Sequence, residues 1–111
     1  MKYPEIITKF QEQPSSVTLR LFISKDIVFF QGHFPDTQIL PGIAQIDWAF
    51  FFASKFLNIE RENFLTIEQL KFTHIIKPDT TLSLTLSLEN NILTFKYFND
   101  DITYSIGKIK S

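Results

Sequence analysis

The sequence predicts an α+β fold in which an antiparallel sheet curls around one central helix. Three observations predict it. The run from Gly42 to about Leu57 has no helix breaker and is apolar on almost every face of its first three turns. Later segments alternate apolar and polar residues: Leu82 to Leu88, Leu93 to Tyr97, and Ile102 to Ile106. Short Asn/Asp clusters separate them, as in a hairpin-connected meander. A helix apolar all round is covered on all sides, yet at ~1.5 Å per residue this one reaches only about 24 Å and is too short to cross a membrane. The sheet is the available cover.

Each element has a local reason. Tyr3 to Gln13 reads as a short helix started by Pro4 at its first turn and ended by Pro14-Ser15-Ser16. Val17, Leu19, Leu21 and Ile23 then alternate with Thr18, Arg20 and Phe22, a strand pattern with one apolar exception. Ser24-Lys25-Asp26 turns, and Val28-Phe29-Phe30 leads into a loop centred on His33. Pro41 suits the helix start, where its fixed φ fits and its missing N–H is not needed. Phe64 to Ile76 contains a strand closed by Lys77-Pro78-Asp79. Glu89-Asn90-Asn91 is a hairpin turn, because Asn tolerates positive φ.

Composition bounds the function. The chain has 111 residues, 44% hydrophobic, 13 of them Phe, enough for a single domain spanning 1–111 with a sizeable core. So many aromatics also suit an oligomer interface or an apolar ligand tunnel. A net charge of −1, from 11 basic and 12 acidic residues, gives no reason to expect nucleic acid or an anionic membrane as partner. Cysteine is absent, which excludes disulfides, thiol nucleophiles and thiolate metal sites. His33 and His74, the two histidines, are too isolated for a metal site. With no signal-peptide pattern at Met1-Lys2-Tyr3-Pro4-Glu5 and no apolar run near the ~18 residues of a membrane span, the expectation is a soluble, cytoplasmic protein.

One stretch carries chemistry. In Gln31-Gly32-His33-Phe34-Pro35, the glycine and the prolines Pro35 and Pro41 shape a loop that holds a histidine. Imidazole exchanges a proton near neutral pH. Asp47 stands in the helix among Ile43, Ala44, Phe50 and Phe51. A carboxyl alone on such a face is costly to ionise, which suits a proton donor. Gly42 begins the same helix, where a free N–H at the positive end of the dipole stabilises a developing oxyanion. Plainer readings stand beside these: a capping or packing histidine, an aspartate bonded to nearby backbone or to a partner lysine, and a glycine set by helix-start geometry. His74, in Lys71-Phe72-Thr73-His74-Ile75, reads as a sheet residue without chemistry, and Glu60-Arg61-Glu62 as a solvated helix end or loop.

These residues resemble a family signature. Phe29 to Pro35, Ile39-Leu40-Pro41-Gly42 and Gln45-Ile46-Asp47-Trp48-Ala49 are similar to the 3-hydroxyacyl-[acyl-carrier-protein] dehydratases of the FabA/FabZ group. The likeness continues through Gln69-Leu70-Lys71-Phe72 and Lys77 to Leu82, and covers roughly residues 17–111. It implies a hot-dog fold, a long helix wrapped by an antiparallel sheet. It also implies that His33 abstracts the Cα proton of a 3-hydroxyacyl thioester. Asp47 then handles the departing hydroxyl, and the Gly42 N–H binds the thioester carbonyl. Phe34, Ile43 and Phe51 become candidates for an acyl tunnel. The resemblance further implies a homodimer in which His33 works with the carboxylate of the other subunit. Acyl carrier protein is the partner that delivers substrate on phosphopantetheine, and no metal or redox cofactor is needed. Lys25, Lys71 and Lys77 are candidates for carrier-protein docking.

The chain departs from the pattern in four places. The carboxylate is Asp, as in the FabA branch, whereas His-Phe-Pro follows the FabZ branch. Phe51 stands where the family often has Gln, one turn after the carboxylate. Asp79-Thr80 replaces Gly-Asp, and the amino terminus lacks the Arg-Tyr-Pro segment. Short forms with Gln-Ile-Asp-Trp-Ala look most like the dehydratases of aryl-polyene-type clusters. Two other readings compete: a hot-dog acyl thioesterase, and a non-catalytic acyl-binding partner subunit.

Overall fold

Val17, Leu19, Leu21 and Ile23 are buried while the residues between them are not, and this alternation sets the frame of the sheet. The computed structural model describes residues 1–30 and 38–111, so the expectations for His33 and Phe34 lie outside the described residues. Six strands form one antiparallel sheet: β1 (Glu5–Gln13), β2 (Ser16–Ile23), β3 (Thr66–Phe72), β4 (Thr80–Glu89), β5 (Ile92–Asn99) and β6 (Ile102–Lys110). Their order across the sheet is β1-β2-β4-β5-β6-β3. One helix, α1 (Gly42–Phe56), and two short 3-10 turns, Val28–Phe30 and Arg61–Asn63, complete the described elements.

The expected amino-terminal helix is instead the edge strand β1. Its residues pair antiparallel with β2 from Glu5↔Phe22 to Gln13↔Ser16, with irregularities between Ile6 and Thr8 and between Phe10 and Gln13. Ile6, Ile7, Thr8 and Phe10 are β-branched or aromatic and fit a pleated surface. Pro4 lies just before the strand, where a missing N–H costs no ladder bond. Pro14-Ser15 is a tight connection rather than a helix stop.

In β2, β4 and β5 the alternation reads true; in β6 it does not, since Ile102 is exposed while Ser105 and Ile109 are buried beyond an irregularity in its pairing with β5. Leu82, Leu84 and Leu86 of β4 face Leu21, Leu19 and Val17 of β2, and all six are buried. Asn90 and Asn91 both have positive φ, 52° and 63°, as a two-residue hairpin between Glu89 and Ile92 requires. Asp79, standing where the family has Gly, also adopts positive φ. Its N–H bonds to the Ile23 carbonyl, and its Oδ1 accepts from the Lys25 N–H at 3.0 Å. Asp tolerates that region by bonding locally to backbone. Gly107 lies under the ring of its cross-strand partner Phe95, where a Cβ would come within 2.1 Å of the ring.

The core joins these strands to α1 through Trp48, Ala49, Phe52 and Ala53. Trp48 Nε1–H donates to the Lys2 carbonyl at 3.1 Å, which ties the amino terminus to the helix. The cover is incomplete on one side. Ile43 is 75% exposed, and every residue of the edge strand β3 is exposed. No helix of the described residues is long and apolar enough to cross a membrane.

Candidate active site

The amino end of α1 is open. Pro41 precedes it in extended backbone and supplies no side-chain cap. The Ala44 and Gln45 N–H groups reach the Pro41 carbonyl at 3.1 and 3.3 Å. Gly42 and Ile43, first in the helix, have no carbonyl behind them to bond. Among the described residues their N–H groups have no capping side chain, and they lie at the positive end of the dipole. A cavity of about 410 Å³ lies at this end, bordered by Pro41, Gly42, Gln45, Phe72 and His74. The Phe72 ring leaves no room for a side chain at position 42, since a Cβ there would lie 2.7 Å from its Cζ.

A buried polar cluster fixes this first turn. Gln45 is 3% exposed. Its Oε1 accepts from Ser105 Oγ at 2.6 Å, and its Nε2 donates to the Leu40 carbonyl at 3.4 Å. The Tyr97 hydroxyl donates to the Gln45 carbonyl at 2.8 Å. Burial pushes the Tyr97 phenol well above its ordinary value of 10, and the nearby Asp47 charge pushes it further. The bond to Ser105 locks the Gln45 amide, so the turn that presents Gly42 is held to β5 and β6.

Asp47 is not isolated. The segment after α1 folds back along the helix, with Phe64 edge-on to Phe50 at 6.3 Å. This brings Arg61 Nη1 within 2.6 Å of Asp47 Oδ1. The Asp47 side chain is 27% exposed. The expectation of an unpaired carboxyl among apolar neighbours is thereby corrected. The neighbours along the helix are apolar, as read, but the partner comes from the next loop, fourteen residues on. Glu60, Arg61 and Glu62 are exposed, as expected of a solvated segment, and Arg61 begins a 3-10 turn that runs to Asn63.

The remaining candidates are spread out. Ile43 projects into solvent, and Phe51 stacks on Tyr3 at 3.8 Å with an interplanar angle of 11°. Neither lines the cavity beside Gly42. Within one chain, Asp47 and that cavity are not brought together. His74, read as a sheet residue, lies just past β3 and borders the cavity. Its Nδ1 is 3.1 Å from the Thr103 carbonyl. A carbonyl only accepts, so Nδ1 is the donor in this bond. The sequence held no signal for Arg61 or His74, because both reach the site through tertiary folding. Among the described residues, no group of three or more His, Asp or Glu could hold a metal.

Comparison with known proteins supplies the context. Residues 9–108 match the model of the ApeI-like family, described as ApeI dehydratase. Among solved structures, the chain is similar to the dehydratase heterocomplex ApeI:P from Xenorhabdus doucetiae. The TM-score is 0.88 and the identity 35%, over 97% of this chain and 96% of that one. An uncharacterized protein from Erwinia carotovora subsp. atroseptica gives a TM-score of 0.81 and 34% identity, over 97% and 94%. The dehydratase domain of the polyketide PpsC from Mycobacterium tuberculosis shares the fold, with a TM-score of 0.69 and 16% identity over 99% and 44%. No curated protein matches the chain.

Proposed function

Because this chain belongs to the ApeI-like dehydratase family, a group of hot-dog lyases, we propose that it removes water from a 3-hydroxyacyl thioester on acyl carrier protein. The product is the trans-2-enoyl thioester of a growing polyene or polyketide-type chain. His33 takes the Cα proton, and negative charge collects on the thioester oxygen. The Gly42 N–H stabilises that charge at the amino end of α1. The Cβ–O bond then breaks as the Cα–Cβ double bond forms; the hydroxyl, held by Asp47, the one carboxylate of the helix, takes the proton back from His33 and leaves as water. A proton and a hydroxyl leave together as water with no net change of oxidation state, so the scheme calls on no redox cofactor, and it uses no metal. Phosphopantetheine arrives with the substrate.

The observation that carries this reading is the amino end of α1 at Gly42, without a side-chain cap among the described residues, opening on a cavity and fixed by the buried Gln45 cluster. A second subunit completes the site. Ile43 is exposed on α1, and Leu65, Ile67 and Phe72 are exposed at or beside the free edge of β3. An unpaired strand edge carrying apolar side chains is a surface made to be covered. A second copy of this chain is the proposed occupant. The heterocomplex nature of the Xenorhabdus relative favours one other occupant, a different dehydratase chain.

The test is turnover of a panel of 3-hydroxyacyl carrier-protein thioesters. Enoyl absorbance should appear with the wild type and fall steeply, to a small residual rate, in His33→Ala and Asp47→Asn variants that keep their fold. Release of free thiol without enoyl product would identify a thioesterase instead. Full function in His33→Ala would identify a non-catalytic subunit.

A further inference from the structure

We propose that Arg61 is a positioning residue for Asp47: its guanidinium holds Oδ1, so that Oδ2 is the oxygen turned to the departing hydroxyl. This deepens the dehydratase reading and rests on the role given there to Asp47. The contact is a charge-assisted bond of 2.6 Å. Among the described residues, Arg61 is the one side-chain donor to this carboxylate. The neighbours of Asp47 one turn away on the helix, Ile43, Ala44, Phe50 and Phe51, have no side-chain donor to offer.

Arg61 is itself held in place. Its guanidinium lies over the Phe50 ring at 4.8 Å, and the edge of Phe64 packs against the same ring. A planar guanidinium seated on an aromatic face has a set direction, which a flexible ammonium lacks. The Phe64 N–H closes the 3-10 turn on the Arg61 carbonyl at 3.0 Å, which fixes the backbone from which the side chain departs. Ile46, Phe50, Arg61 and Phe64 together border a second cavity, of about 510 Å³, so there is open space beside Arg61.

Stability is a poor explanation for this arrangement. The Arg61 side chain is 54% exposed, and exposed ion pairs add little to folding. Orientation is the better one. A carboxylate on a free side chain samples several rotamers, whereas one oxygen tethered to a fixed fork leaves the second in a defined place.

Steady-state kinetics on a 3-hydroxyacyl carrier-protein thioester, using the full chain with its partner subunit, tests the proposal. Arg61→Gln should lower kcat on the order of 10²-fold while leaving KM within a few-fold. Arg61→Lys should recover part of that loss. In an Asp47→Asn background, Arg61→Gln should cost nothing further. Wild-type kcat in Arg61→Gln, with Asp47→Asn reduced to its residual rate, would overturn the positioning role and leave the role of Asp47 intact. Losses that multiply independently in the double variant would overturn it as well. A fully active Asp47→Asn would remove the dehydratase role of Asp47 and this proposal with it. Should Arg61→Gln fold poorly, Arg61→Lys carries the test: a loss seen only with Asp47 present supports the proposal, and an equal loss in the Asp47→Asn background overturns it.

Discussion

Replacing Gly42 with alanine puts a methyl group 2.7 Å from Phe72 Cζ and 3.0 Å from both Cε atoms. Ordinary contact begins at 3.4 Å, so the ring must retreat by roughly 0.7 Å or the helix must shift. Phe72 ends an edge strand and is 45% exposed, so it can give way outward. The cost then sits near the lower end of the overpacking range, about 1 kcal/mol. Alanine is favoured over glycine in a helix by up to about 1 kcal/mol, less in the first turn. The two terms largely cancel, and Tm should move by no more than about 8 °C. Activity has no such offset. The methyl stands beside the N–H assigned to the thioester oxygen, and a misplacement of about 1 Å costs on the order of 10²-fold in rate. Thermal unfolding followed by circular dichroism, together with kcat from enoyl absorbance, separates the two effects. A folded Gly42→Ala variant with wild-type kcat would refute the placement of the thioester at this helix end. A loss of activity that merely follows a loss of fold would refute the estimate that the two stability terms cancel.

Two further outcomes follow from the same geometry. Because burial raises the Tyr97 phenol in the folded state, the stability it confers is present below pH 10 and lost as pH rises through the folded value. Tyr97→Phe should be less stable than wild type by about 1 kcal/mol at pH 8, through the lost bond to Gln45, and the gap should narrow at pH 11 in urea titrations. A gap that stays constant would show that Tyr97 does not contribute to the alkaline loss. Ile67→Lys, on the exposed edge of β3, should convert the proposed dimer to monomer in light scattering while changing the stability of the monomer by no more than about 0.5 kcal/mol; a dimeric mass kept in the variant would place the interface elsewhere, and a monomeric wild type would refute the dimer.

The parts of the fold that were legible in the sequence are those where one local rule decides. Leu82, Leu84 and Leu86 alternate because a half-buried strand has period two, and Asn90-Asn91 marks a hairpin because few residues accept two positive φ values in a row. The segment Glu5–Gln13 was misread because Pro4 fits a helix start as well as the approach to an edge strand. Pairing with β2 decided between them, and pairing is not local. The site follows the same division. Gly42 and Asp47 stood out as residue types at odds with their surroundings. Arg61 did not, since an arginine between two glutamates is ordinary on a surface. Only the return of the loop along α1, anchored by Phe64 on Phe50, gives it a partner. His74 was hidden for a similar reason: its place beside Gly42 depends on β3 crossing the end of the helix.

Phe51 shows how these two classes of residue are linked. One turn beyond Asp47, it occupies the position from which a glutamine would support the carboxylate along the helix. The structure uses that position for packing: Phe51 stacks on Tyr3, next to the point where Trp48 holds the Lys2 carbonyl. A ring at this place closes the amino terminus over the core, and a polar side chain would leave Tyr3 without its platform. Support for Asp47 then has to come from outside the helix, and the loop supplies it through Arg61, seated on Phe50 of the turn between them. The departure at Phe51 and the ion pair at Arg61 are on this argument two halves of one change. A Phe51→Gln, Arg61→Gln double variant that recovers kcat relative to Arg61→Gln alone would establish the exchange. A double variant no more active than Arg61→Gln would show that Phe51 serves the amino terminus only.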